Sequence, residues 1–332
     1  MRFLRFKLFK FSHLAQKMLV LANIMFSQKL IDEIRLDFVK KYRNRSVTSP
    51  FWAFLAHFDA IVKEVQEDIS SGNYQMHSCE LWKPPGGHET IAVYTFKDRF
   101  VIRLVTDYVK KFISASLSPH YYQKKGKGRQ AAIKALIKEL PAYQYVYKTD
   151  VKSYFASVDH NLLMEQLESY ITSPTILKLI KQIISPKVFI SGRWQTNHTG
   201  IPLGCSLSPV LAELYLLQLD KAFDQNQGIY YQRFCDDIFI LAKTKWQQKR
   251  AIKKVKVILS CLKLSIRYRK TFTGHTSQTI AYLGYKIHPD SSIGISSESF
   301  KRMKLHLLRL YEQGSSLEKI RSYQRRWKSS FS

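Results

Sequence analysis

A mixed α+β fold, with an antiparallel sheet set among helices, is what this sequence predicts, and three observations carry the prediction. The first is the stretch Tyr231–Leu241, YQRFCDDIFIL. An aromatic, β-favouring half and a short apolar half flank Cys235, Asp236 and Asp237, too few residues for anything but a tight hairpin turn. The second is YQYVYKTDV, an apolar strand over Tyr145–Val151 that carries Asp150 at its end and leads through a turn into a helix. The third is apolar residues recurring at helical spacing, as in FLAHFDAIVKEVQEDI, where Phe54, Phe58, Ile61, Val62 and Val65 share a face.

In chain order, residues 1–30 carry six Lys or Arg and no acid, which reads as a basic amphipathic arm. No apolar run approaches the roughly 20 residues that span a bilayer. The pattern from Leu30 to Gly72 is helical, with Gly72 as its terminating residue. Residues 79–95 read as a hairpin turning at Pro84, Pro85, Gly86 and Gly87. FKDRFVIRLVTDYVKKFISASL is an amphipathic helix with Lys97, Arg99, Arg103, Lys110 and Lys111 among its apolar positions. A basic loop follows, in which Lys124, Lys125, Lys127 and Arg129 beside Gly126 and Gly128 suit phosphate contact or a solvated surface.

After the strand at 145–151, Asp159 is placed to cap the helix containing MEQLESYI. KVFISGRWQ reads as a hairpin turning at Ser191–Gly192. Gly200, Pro202 and Gly204 form a loop open to close backbone approach, and Ser208–Pro209 begins an apolar helix. A basic amphipathic helix near 299–313 and the segment SLEKIRSYQRRWKSSF complete the chain.

Charge narrows the function. With 53 Lys and Arg against 25 Asp and Glu, the net charge is +28 over 332 residues. Self-repulsion of that size points to a polyanionic partner. The basic residues are spread along the whole chain, which favours nucleic acid over a membrane surface. Cys79, Cys205, Cys235 and Cys261 are far apart and form no CxxC pair. That argues against zinc or a disulfide framework and fits a reducing, cytoplasmic setting.

The acids narrow it further. Clustered carboxylates repel and are costly unless paired or bound to metal. Asp236–Asp237 at a hairpin tip is either a solvated turn or half of a metal site. Asp150 has poor strand propensity, so it needs either a metal or a salt bridge to Lys148 or Lys152.

The ordered set TDVKSYF, GIPLGCSLSP, FCDD, a Lys-Thr pair and AYLGYKI resembles the palm motifs of reverse transcriptases. The likeness is to the bacterial branch of group II intron, retron and diversity-generating enzymes, over roughly residues 70–330. It implies a right-hand polymerase fold: an N-terminal helical arm (1–69), fingers (70–142), a palm (143–289) with parts interleaved with the fingers, and a short helical thumb (290–332). It further implies that Asp150 and Asp236 bind two Mg²⁺ (Mn²⁺ as an alternative), with Asp237 beside them and Val151 offering a backbone carbonyl. Phe155 would be a steric gate against a nucleotide 2′-hydroxyl. Pro202, Leu203 and Gly204 would line the nascent base pair, and Lys270 would protonate the leaving pyrophosphate. Leu283, Gly284 and Tyr285 match a primer-grip hairpin. The looser finger segment offers Lys83, Arg99 and Lys125 as triphosphate contacts.

The activity so implied is RNA-directed DNA synthesis from an RNA template, a DNA or RNA primer and dNTPs, with a dedicated non-coding RNA or accessory protein as further partners. Leu203 stands where many intron-type and viral enzymes of the family have Gln. Ser208–Pro209 stands where diversity-generating enzymes have Ser-Gln, and this second departure leans the expected role toward phage defence. A diversity-generating or group II intron-derived enzyme is the alternative. A non-catalytic, maturase-like RNA-binding protein would explain the charge but not the retained acids.

Overall fold

The computed structural model describes residues 25–84, 90–113, 118–122, 128–190, 192–224 and 227–331. The basic arm up to residue 24, the Pro85–Gly87 portion of the first hairpin turn, Ser191 and Lys124–Lys127 lie outside the described residues. The chain forms two compact units. One comprises residues 1–117, 153–217 and 262–264, the other 118–152, 218–261 and 265–332.

In the first unit, the sequence between Leu30 and Gly72 is not one helix but three: α1 (Gln28–Tyr42), α2 (Pro50–Ala56) and α3 (Phe58–Ser70). The break after Tyr42 is fixed by Ser49, whose side chain caps α2 by accepting from the Phe51 N–H, with Pro50 in the first turn. Gly72 ends α3 in the left-handed region, at φ 73°, as expected. Phe38, Tyr42, Phe51, Phe54, Phe58 and Phe100 are buried, and neighbouring rings lie 5.4–5.8 Å apart in tilted or edge-on pairs.

Next come the hairpin β1 (Glu80–Trp82) and β2 (Ile91–Val93), paired Leu81 to Ala92, and helix α4 (Phe96–Ile113). Later segments of the same unit are the short α6 (Tyr154–Ser157), α7 (His160–Glu168), α8 (Pro174–Ile184), the hairpin β4 (Val188–Ile190) and β5 (Arg193–Gln195), and α9 (Ser208–Tyr215). Asp159 caps α7 as the sequence predicts, accepting from the N–H groups of Asn161 and Leu162 at 3.1 Å.

The second unit is built on a four-stranded antiparallel sheet of β3 (Tyr145–Asp150), β6 (Ile229–Phe234), β7 (Asp237–Ala242) and β8 (Phe272–His275), in the order β6-β7-β3-β8. One face is closed by α11 (Lys245–Cys261), the helix that follows α10 (Leu217–Lys221). Ala251, Val255 and Leu259 are buried there, and Gln248 Nε2 donates to the Val146 carbonyl at 2.7 Å. Other apolar side chains of this unit gather with α5 (Gly128–Glu139) and a second, three-stranded sheet of β9 (Ile280–Tyr282), β10 (Tyr285–Ile287) and β11 (Ile293–Ile295). Ile133, Leu136, Val146, Phe239, Leu241, Ile280 and Ile287 form this core. Each contributes roughly 1.5–3 kcal/mol by leaving water.

The unit ends in α12 (Ser297–Glu312) and α13 (Leu317–Ser329), which meet through Phe300 and Trp327, and His306 and Tyr323. The extreme C-terminus is clamped back onto α5. Arg129 stacks 4.5 Å above the Phe331 ring and 5.6 Å from Tyr285, and donates to the Ser330 carbonyl at 2.9 Å. Among the described residues no helix is long and apolar enough to cross a membrane, and the four cysteines are free thiols.

Candidate active site

The acids of the second unit converge through strand register. Asp150 is the last residue of β3 and pairs directly with Asp237, the first residue of β7. The sequence places both acids in the turn, and the register corrects this for Asp237. Phe234 pairs with Asp237, so only Cys235 and Asp236 form the loop. A two-residue turn this tight needs a positive φ, and Cys235 supplies it at 55°. Val151 N–H donates to the Asp236 carbonyl at 3.2 Å, which ties the turn to the end of β3.

Burial and mutual repulsion set the electrostatics. Asp150 is only 2% exposed. Burial, followed by the charges of Asp236 and Asp150, pushes the Asp237 carboxyl up to about 6. Burial also raises Asp236, with Asp150 adding to it. Cations answer this negative charge: Arg267 Nη1 and Lys270 Nζ stand 3.3 Å and 3.2 Å from Asp150 Oδ2. The backbone fixes their approach, since Arg267 N–H donates to the Asp150 carbonyl at 2.8 Å. Lys148, one strand position from Thr149, donates to the Ala281 carbonyl at 2.7 Å. Burial lowers its pKa while Asp237 and Asp150 oppose the shift. Lys148, Asp237 and Lys270 face a cleft of about 560 Å³ that also takes in Arg269, Leu283 and Gly284. The salt bridges expected of Asp150 are thus made, by Arg267 and Lys270 rather than by Lys148 or Lys152.

The donor set fits a hard divalent cation. Asp150 Oδ1 is buried and has no hydrogen-bond partner among the described residues, an orphaned oxygen of the kind a metal satisfies. The carboxylate oxygens suit Mg²⁺, which takes one or two carboxylates and keeps other positions for water and phosphate. The neighbouring Cys235 thiol is pushed up to about 12 by burial and hydrogen-bonds Asp236, so it stays a protonated bystander. Among the described residues no three or more His, Cys, Asp or Glu side chains are grouped closely enough to cage an ion by themselves.

Of the expected nucleotide-facing residues, Lys83, Arg99, Phe155, Pro202, Leu203 and Gly204 lie in the first unit. Phe155 sits on α6 with its ring edge-on to Tyr154, and its carbonyl accepts from Ile201 N–H at 2.7 Å. Gly200, at φ 92°, lies so close that an added Cβ would stand 3.2 Å from the Ala156 carbonyl. The Leu203 carbonyl accepts from Ala92 N–H of the β1–β2 hairpin at 3.0 Å. Gly204 is pressed beneath Ile91, where a Cβ would come within 2.5 Å of the isoleucine methyl. Pro202 accepts at its carbonyl from Ser208 Oγ, 2.7 Å away. Lys83 is exposed just beyond β1. Arg99 is committed to α1, donating to the Tyr42 hydroxyl at 3.1 Å and stacking 4.9 Å over Phe96. Lys125 lies outside the described residues. Leu283 and Gly284 form the two-residue turn of the β9–β10 hairpin, both at positive φ.

Sequence reasoning missed Arg267 as a cation of the site, and weighed Lys148 only as a salt-bridge partner of Asp150. It also missed the fully buried pair of Arg233 and Asp220 behind the turn. A charged residue inside the aromatic strand YYQRF was the available signal for Arg233; Arg267 gave none, being one of several basic residues in a row.

Comparison with known proteins extends these observations. Residues 82–287 match the family described as reverse transcriptase (RNA-dependent DNA polymerase). The group II intron-encoded protein LtrA of Lactococcus lactis is 20% identical over 297 residues, 68% of this chain and 49% of LtrA. An uncharacterized 91 kDa protein in the cob intron of Schizosaccharomyces pombe is 23% identical over 190 residues, 53% of this chain and 23% of that protein. The chain therefore spans 23% to 49% of the length of these relatives. In fold it is similar to telomerase from Candida albicans in complex with a fragment of telomeric RNA. That likeness has a TM-score of 0.54 and 12% identity, covering 85% of this chain and 59% of that one. Apo telomerase from Candida tropicalis gives 0.53 at 13% identity, covering 75% and 53%. These likenesses bear out the right-hand polymerase fold expected from the motifs.

Proposed function

The chain belongs to the reverse transcriptase family, and on that premise we propose that it is an RNA-directed DNA polymerase of the group II intron-like branch. The observation that supports this most is the register of Asp150 against Asp237, with Asp236 in the turn between strands and an unpaired Asp150 oxygen beside them. Two Mg²⁺ ions, with Mn²⁺ as the alternative, would be held by Asp150, Asp236 and Asp237 and the Val151 carbonyl. When bound, they lower the pKa of a primer 3′-hydroxyl and stabilise charge on the α-phosphate and the leaving oxygens.

The chain's own groups do the rest. Lys270, within salt-bridge distance of Asp150, is free to turn to the leaving pyrophosphate once the carboxylate is otherwise engaged, and it carries a proton to give. Arg267 offsets the charge of the same carboxylate and fixes where it lies. Phe155 limits the space for a 2′-hydroxyl, and the 202–204 loop, held by Ala92 and Ser208, is its rigid neighbour. Lys83 and Lys125 serve the triphosphate in this reading; Arg99 is held by Tyr42 and Phe96 and is the weakest of the three assignments. The substrates are dNTPs, an RNA template and a DNA or RNA primer.

Primer extension on an RNA template tests the proposal. Asp150→Asn and Asp236→Asn should each abolish extension, by several orders of magnitude, while the chain stays folded. Near wild-type extension by both variants would refute it. The same variants test the biological role proposed here, cytoplasmic phage defence supported by the Ser208–Pro209 pair. Cells carrying the wild-type chain should lower phage plating efficiency and cells carrying Asp150→Asn should not.

A further inference from the structure

Behind the Cys235–Asp236 turn lies an ion pair with no exposure to solvent. Arg233, on β6, and Asp220 have 0% exposed side chains. Arg233 Nε donates to Asp220 Oδ1 at 2.7 Å and Nη2 to Oδ2 at 2.6 Å, a bidentate fork. The Tyr231 hydroxyl donates to the same Oδ1 at 2.6 Å, and the guanidinium lies 4.5 Å over the Tyr121 ring. Its remaining nitrogen reaches forward: Nη1 donates to the carbonyl of Cys235 at 2.8 Å.

Stability does not account for this arrangement. Desolvating two ions is costly, and a well-packed apolar pair of similar volume generally does as well or better. An apolar pair cannot, however, grip a carbonyl. That carbonyl belongs to a residue in the left-handed region, a conformation that a side chain other than glycine adopts at some cost and keeps only when its surroundings enforce it. It is also half of the peptide unit that leads into Asp236, whose own carbonyl is held from the other side by Val151 N–H at 3.2 Å.

We infer that the Arg233–Asp220 pair is a positioning device for the metal-binding turn, the guanidinium fixing the Cys235–Asp236 peptide so that the Asp236 carboxylate is held next to the Asp150–Asp237 pair. Asp220 and Tyr231 in turn hold the guanidinium to one orientation, while Tyr121 supports its face. Arg233 is a positioning residue, since it acts on the metal site only through the backbone of Cys235. The inference rests on the metal-dependent reading above.

The decisive variant is Arg233→Met combined with Asp220→Leu, which removes both charges at similar volume. Urea denaturation, Mn²⁺ binding followed by the electron paramagnetic resonance of free Mn²⁺, and primer extension resolved into kcat and the KM for dNTP are measured together. The double variant should be as stable as the wild type or more so. It should bind Mn²⁺ about 10–100-fold more weakly, with a similar loss in kcat, the usual effect of removing a group that orients a metal ligand. The KM for dNTP should change by no more than about threefold, since a lost contact to the triphosphate would appear there instead.

Arg233→Lys is the second variant. Its ammonium can pair with Asp220 but lacks the forked donors that reach both the carboxylate and the carbonyl. It should fold and show the same loss of Mn²⁺ affinity. A folded double variant with wild-type affinity and kcat overturns the inference. So does Arg233→Lys at wild-type affinity, or a failure of both variants to fold, which would make the pair structural. A wild-type chain that binds Mn²⁺ but extends no primer refutes the polymerase reading alone, and the positioning role is then judged on Mn²⁺ affinity.

Discussion

Replacing Asp237 by Asn should stabilise the metal-free protein at neutral pH while destroying its activity. The folded chain holds this carboxyl at about 6, against an ordinary value of 3.8, because burial and the charges of Asp236 and Asp150 outweigh the help of Lys148 and Lys270. A group whose folded pKa lies above its unfolded one favours the folded state while protonated. That advantage is whole below 3.8 and is lost as pH rises through about 6. Ionised Asp237 at pH 7.5 therefore costs about two pKa units, or ~3 kcal/mol. Allowing for its residual contact with solvent, an effect on the order of 2 kcal/mol is expected. With a urea dependence of about 2 kcal/mol per molar, Asp237→Asn should raise the denaturation midpoint by about 1 M in EDTA at pH 7.5. The gain should shrink to nothing near pH 3.5. Saturating Mg²⁺ should stabilise the wild type more than the variant, since binding to the folded state alone adds to stability. A variant that is no more stable than wild type in EDTA at pH 7.5, or a gain that persists unchanged in acid, would refute the account of a buried, uncompensated charge.

Proton competition gives a second expectation. Because Asp236 and Asp237 are both raised, apparent Mn²⁺ affinity should fall about tenfold per pH unit below about 6, measured by calorimetry at pH 5 and pH 7. Phe155→Ala should increase ribonucleotide over deoxyribonucleotide incorporation by on the order of 10–200-fold, and an unchanged ratio in single-nucleotide extension would make the ring a packing residue only. Affinity for an RNA–DNA hybrid should fall about a thousandfold or more between 50 and 200 mM salt if six or more phosphates are neutralised. Arg325→Gln with Arg326→Gln, on exposed positions of α13, should flatten that log–log dependence by up to about two units without altering chemistry once bound.

The features legible in the sequence were those written in local pattern. The β6–β7 hairpin followed from a β-favouring run split by too few residues to do anything else, and Asp159 announced itself as a cap ahead of a helical run. Asp150 was suspect because a carboxylate in a strand needs a partner, and it has two cations. The break between α1 and α2 was also available, in Ser49–Pro50, but the apolar spacing on both sides masked it. Position 237 was harder. Whether the second Asp ends the turn or begins the strand depends on Cys235 adopting a positive φ, which no propensity of cysteine foretells. The Arg233–Asp220 pair and the approach of Arg267 to Asp150 were out of reach, because they join segments through tertiary packing that neither local periodicity nor spacing encodes.

The clamp of Arg129 on Phe331 and Tyr285 has a consequence for how the chain is made. A ribosome releases Asp150 and its strand on the order of 180 residues before it releases Phe331. At roughly 5–20 residues per second, β3 spends about 10–40 s without the C-terminal aromatic that closes this unit over α5. During that interval Val146 and its strand neighbours are apolar surfaces waiting for partners encoded far downstream. The second unit therefore cannot close its core over α5 until the segment around Phe331 has emerged, whereas the strands that bring Asp150 and Asp237 into register are all present by residue 242. Slowing translation after residue 290 should lengthen the exposed interval, and chaperone dependence should rise with it.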